Sequence, residues 1–136
     1  MLAMFLPLSV MAQVFSVQSV EQVTLPDGCE MVADISPDGN RLLLTTGAHE
    51  GLKSFEPSSG KTVVLTNSEG AGYEARFAAD GNTVLYRETT FTPKHLRMTS
   101  LNTVDLNTGS KLVLHYCPRK SFNISKSNKL IVTHQN

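Results

Sequence analysis

Two twelve-residue stretches set the tightest limits on this fold. "ISPDGNRLLLTT", Ile35 to Thr46, returns 42 positions later as "FAADGNTVLYRE", Phe77 to Glu88. Each contains the end of one strand, an Asp-Gly-Asn turn and a second strand. An aspartate can accept a hydrogen bond from the backbone two residues on, and a glycine takes positive φ without a Cβ penalty. Together these form a tight connection between antiparallel strands. Asp38, Gly39, Asp80 and Gly81 are therefore read as turn-forming residues, and a unit that recurs at fixed spacing marks a repeat architecture.

The surrounding sequence has the same grammar. Hydrophobicity runs with a period of two, and turn residues recur about every eight to twelve positions without a helical pattern. "MVADIS", "NRLLLTT", "LKSFEP" and "KTVVLT" read as four strands; "GYEARFA", "TVLYRE", "SLNTVDL" and "SKLVLHY" repeat their order. "KSFNIS" and "KLIVTHQ" begin a third copy, in which Ser127-Asn128 stands where Asp-Gly stood. Ile35, Phe77 and Ile124 are equivalent, at separations of 42 and 47 residues, within the range of about 40 to 50 for four-stranded propeller blades.

The two Asp-Gly-Asn stretches resemble the S-P-D-G-[KN] repeat of TolB-type β-propellers, a class common among exported bacterial proteins. The same repeat occurs in the peptidase-associated propellers of the prolyl oligopeptidase family. The resemblance covers Pro26 to Gln135 and implies an all-β chain, a β-propeller fragment of about two and a half four-stranded blades. The outer strand of a preceding blade is expected at 13–25, blades at 29–67 and 72–116, and a half blade at 120–136. Closed propellers have at least four blades. The chain is therefore expected to be the front of a longer protein, the product of a truncated frame, or a unit that self-associates through open blade edges, with the first ranked highest.

The resemblance also implies that the loops after the second and fourth strands of each blade share one face. Here the copies differ. Ile35 to Gly60 spans 25 residues and Phe77 to Gly109 spans 32, so the second copy is seven longer, within "TTFTPKHLRM". An insertion on the loop face of a rigid scaffold is where binding residues gather. Phe91, Lys94, His95 and Arg97 lie in it, weighed against a plain solvated loop stiffened by Pro93. His49 and Arg119, in other loops of that face, complete the candidate binding set.

Twelve basic and twelve acidic residues give no net charge, which argues against a nucleic-acid partner. The opening "MLAMFLPLSVMA" reads as a signal peptide at 1–12, cleaved before Gln13 and directing the chain to the periplasm or otherwise outside the cytoplasm. It is too short for a stable membrane span. Cys29 and Cys117, the two cysteines, lie two blades apart and are expected to remain free thiols. His49, His95, His115 and His134 lack ligand spacing, so neither a metal nor a cofactor is expected. No G-x-S-x-G elbow is present. Asp38 and Asp80 could ligate calcium, but turn geometry accounts for them. "NIS" at Asn123 is an acceptor sequon by pattern alone.

Two function classes remain open. One is a non-enzymatic exported binding or scaffold module for a protein, peptide or glycan. The other is the front of the substrate-gating propeller of a prolyl oligopeptidase-family peptidase. A propeller lactonase, with Glu30, Asp34 and Glu74 near the channel mouth, ranks below both.

Overall fold

A computed structural model describes residues 16–117, 122–124 and 131–133. The expected signal segment 1–12, Arg119 and His134 lie outside these residues, as do 13–15 of the expected outer strand. Residues 16–25 are exposed or half-buried and carry no strand.

Among the described residues the chain is all-β. Strands β1 (Met31–Ile35), β2 (Leu42–Thr45), β3 (Leu52–Glu56) and β4 (Lys61–Thr66) form one antiparallel sheet in chain order. β5 (Arg76–Phe77), β6 (Thr83–Phe91), β7 (Arg97–Asp105) and β8 (Lys111–Cys117) form a second with the same order. β9 (Phe122–Ile124) and β10 (Ile131–Thr133) pair as a hairpin.

The repeat is exact in register. Ile35 pairs with Leu42, Phe77 with Val84 and Ile124 with Ile131, each seven residues apart, so the third hairpin keeps the spacing of the first two despite its different turn residues. In the first two turns Gly39 N donates to Ser36 O (2.9 Å) and Gly81 N to Ala78 O (3.0 Å), with φ of 76° and 70°. Asp38 accepts from Asn40 N at 3.0 Å, and Asp80 from Asn82 N and Thr83 N at 2.8 Å. The bond from Thr83 N leads in holding the Asp80 carboxyl below the usual range, and a bond from the Ser36 hydroxyl does the same for Asp38. β-Bulges also repeat, at Leu52/Lys53 and Leu101/Asn102, and both leucines are fully buried. A bulge bends the strand that carries it, here at the same place in each blade.

The sheets pack face to face. Leu43, Leu52 and Leu65 from the first meet Phe77, Val84, Tyr86 and Val104 from the second in one cluster, with Ala71 and Ala75 of the β4–β5 connection between them. Dry apolar contact of this kind is the main force joining two sheets. Polar contacts fix their alignment: Asp34 Oδ2 accepts from Phe77 N at 2.9 Å, linking the two inner strands, with Arg76 3.7 Å from the same carboxylate. At the rim Lys111 Nζ donates to Leu65 O at 2.6 Å.

Two expectations are refined. The inner strand of the second blade is only Arg76–Phe77, because Glu74 takes a left-handed backbone (φ 55°) and ends the extended run. The seven-residue insertion is not an open loop. Thr89, Thr90 and Phe91 pair with Thr99, Met98 and Arg97, so the extra residues lengthen β6 and β7 to nine residues each. β-Branched and aromatic side chains favour that outcome.

Candidate binding site

The two sheets bring three loop-face segments together. Gly51 N donates to Ser68 O at 2.9 Å and Gly72 N to His49 O at 3.1 Å, joining the β2–β3 connection to the β4–β5 connection. Ser68 then reaches the second blade: its hydroxyl accepts from Thr89 N at 2.8 Å and donates to Thr89 O at 3.1 Å. β5 pairs with β6 only at Leu85 and Val84, so one serine side chain substitutes for a strand neighbour further along β6.

Glu88 is anchored beside it. Its carboxylate accepts from Thr66 Oγ1 (3.0 Å) on the first blade and from Asn102 Nδ2 (3.2 Å) on the second. Asn102 also donates to Ser100 Oγ at 3.0 Å. The neighbouring Tyr86 is fully buried, with no hydrogen-bond partner for its hydroxyl. Burial, and then the charge of Glu88, push this phenol up to about 12.

Beyond that base β6 and β7 continue as a paired arm. Its tip is a three-residue connection, Pro93-Lys94-His95. Thr92 N donates to Leu96 O at 2.9 Å, His95 N to Thr92 O at 2.8 Å, and Leu96 N to Thr92 Oγ1 at 3.1 Å. His95 closes the turn at φ 57°, where an L side chain is strained. Phe91 is 61% exposed and Leu96 55%; Lys94, His95 and Arg97 are exposed as well. Phe91 pairs with Arg97, so these side chains leave the same face of the arm.

The structure thus gathers Phe91, Lys94, His95 and Arg97 on one arm. It places His49 elsewhere, at the junction of the blades. There the His49 ring meets the Tyr73 ring edge-on, with centroids 5.6 Å apart, and the Arg87 guanidinium lies 5.5 Å from the Tyr73 centroid. Arg87 also bonds Glu74 at 2.5 Å. His49 and Glu74 both have positive φ, 60° and 55°. Glu74 enters the sequence reading only as a lactonase acid, and Tyr73, Arg87 and Ser68 do not enter it, because no spacing links the four. Only Gly70 and Gly72 hinted that the chain turns sharply there.

The acids of the lactonase reading are engaged separately: Glu30 accepts from Gly47 N at 2.8 Å, Asp34 from Phe77 N, and Glu74 from Arg87. Among the described residues no group of three or more His, Cys, Asp or Glu side chains is placed to hold a metal. Nor is any helix there long and apolar enough to cross a membrane. Cys29 is a half-buried free thiol; the Cys117 side chain lies outside the description. A cleft of about 140 Å³ at the rim is lined by charges of both signs, Arg41, Lys61 and Lys111 against Glu56 and Asp105.

No protein-family model matches the chain, and no curated protein sequence matches it. Among solved structures, a tricorn protease superimposes with a TM-score of 0.55 at 8% identity over 66% of this chain. A structure assigned as a 6-phosphogluconolactonase from Bacteroides uniformis gives 0.42 at 16% identity over 73%. The chain spans 9% and 31% of the lengths of those proteins. The tricorn protease likeness is one of fold, and with the two four-stranded antiparallel sheets it makes this chain a partial β-propeller.

Proposed function

We propose that the chain is a TolB-type propeller segment of an exported, non-enzymatic binding or scaffold module, and that it presents the β6–β7 arm to a protein, peptide or glycan. The observation that carries this reading is the arm itself. It is where the second blade outgrows the first, it is hydrogen-bonded to its tip, and its base is gripped by Thr66 of the first sheet and by Ser68 just beyond it. A rigid support of this kind reduces the ordering cost of binding, and Phe and Arg are common anchors at interfaces.

The test replaces residues 91–97 by Asn-Gly between the paired Thr90 and Met98, a two-residue connection suited to a hairpin. The variant keeps Thr89 and its bonds to Ser68. The unmodified chain should retain a partner from envelope extract and the shortened chain should not. Equal capture by both would remove the arm from the binding reading and leave the peptidase-gating alternative as the stronger of the two. Export is checked separately by N-terminal sequencing of secreted material, where a start other than Gln13 counts against the cleavage site.

A further inference from the structure

The neutral total charge conceals a segregation along the chain. Five of the twelve cations and eleven of the twelve carboxylates occur up to Glu88, so seven cations and a single carboxylate, Asp105, follow it. The arm begins at that boundary. From Thr89 to Val104 there is no Asp or Glu, while Lys94, His95 and Arg97 all lie in the stretch. Neither Lys94 nor Arg97 makes an ion pair with a described residue; the ion pairs there are Arg76–Asp34 and Arg87–Glu74. The arm therefore combines exposed, uncompensated positive charge with two exposed apolar side chains, Phe91 and Leu96.

We propose that the arm docks an acidic polypeptide segment that also carries apolar side chains, with Arg97 and Lys94 on its carboxylates and Phe91 and Leu96 against its apolar residues. This rests on the arm being the contact surface and adds the class of partner. Arg97 suits a carboxylate because its guanidinium can donate two parallel hydrogen bonds, and its cross-strand neighbour Phe91 shields that pair from water. Charge complementarity of this kind sets specificity and association rate. A phosphate backbone would call on more cations than the arm offers and would leave Leu96 without a role. Stable attachment to anionic lipid takes clusters of about four to eight basic residues, and the arm has two beside His95.

The experiment titrates the full chain into a fluorescein-labelled peptide of alternating Glu and Leu, followed by fluorescence anisotropy. Parallel titrations use the same peptide with Gln for Glu, single-stranded oligo-dT, and phosphatidylglycerol vesicles. The acidic peptide should bind about tenfold or more tightly than the Gln peptide, and its binding should weaken as salt shortens the screening length. Lys94→Glu with Arg97→Glu should abolish that preference. Phe91→Ser should weaken the acidic peptide and leave its salt dependence in place. All three positions are exposed, and unchanged circular dichroism confirms that each variant is folded. Equal binding of the Gln peptide, an acidic-peptide affinity indifferent to the charge reversal, or tighter binding to oligo-dT or vesicles would each overturn the proposal. If the shortened arm loses its captured partner while the charge reversal keeps it, the arm stands as the contact and the acidic class falls. If shortening has no effect on capture, the contact reading itself falls.

Discussion

Tyr86 shows how one side chain can stabilise the blade interface and weaken it at once. Its ring fills the space between the sheets, and its hydroxyl is buried there without a partner. A buried hydroxyl that has lost its hydrogen bonds to water costs about 1–3 kcal/mol. Tyr86→Phe keeps the ring and removes that cost, so chemical denaturation should show a gain of about 1 kcal/mol; a loss would mean that the hydroxyl has a partner. The raised phenol also sets an alkaline limit. With a folded pKa near 12 against the usual 10, the folded state holds the proton more tightly than the unfolded one. The associated stability is complete below about pH 10 and declines as pH rises toward 12. Tyr86→Phe should flatten that decline in a series of melts, and an unchanged slope would assign it to other groups.

At the scale of the element, the arm outruns the first blade's β2–β3 hairpin, whose ladder ends at Leu44–Lys53, the counterpart of Tyr86–Asn102. Its strands hold because each residue from Thr83 to Phe91 has a partner from Asp105 to Arg97. The turn is less favourable. A type I turn in a hairpin is commonly followed by a left-handed residue, usually glycine, and here that residue is His95 at φ 57°. An L residue in that conformation costs about 1 kcal/mol. His95→Gly should therefore raise stability by about 1 kcal/mol in thermal unfolding, and no gain would show that the imidazole repays its strain locally. Because the substitution leaves Lys94 and Arg97 in place, it also separates turn geometry from charge in the peptide titration.

At the scale of the whole molecule, the two sheets act as one body only where backbones approach closely. Gly72 is buried at this junction, and a Cβ there would overlap the Thr45 side chain of the first sheet. Gly72→Ala should cost about 1–3 kcal/mol, as overpacking does, and Thr45→Ala in the same chain should recover part of the loss by removing the hydroxyl and methyl that the added Cβ meets. If both variants melt like the parent, the sheets are more loosely apposed than the Asp34–Phe77 and Gly72–His49 bonds imply. The outward faces are less complete. Met31, Val32 and Ile35 on β1, and Leu112 and Tyr116 on β8, remain exposed. The hairpins, their register and the strand order were legible in the sequence because each is local: Asp38-Gly39 and Asp80-Gly81 bond within their own turns, and alternation sorts side chains within a single strand. The count also located the arm, since seven residues must go somewhere, but it could not say that Thr89–Phe91 and Arg97–Thr99 would pair. What only the tertiary structure decided depends on the second sheet packing on the first: the left-handed Glu74 that shortens β5, the meeting of His49, Tyr73 and Arg87, and the grip of Ser68 on Thr89. Those contacts join residues 14 to 24 positions apart whose own neighbourhoods do not require them.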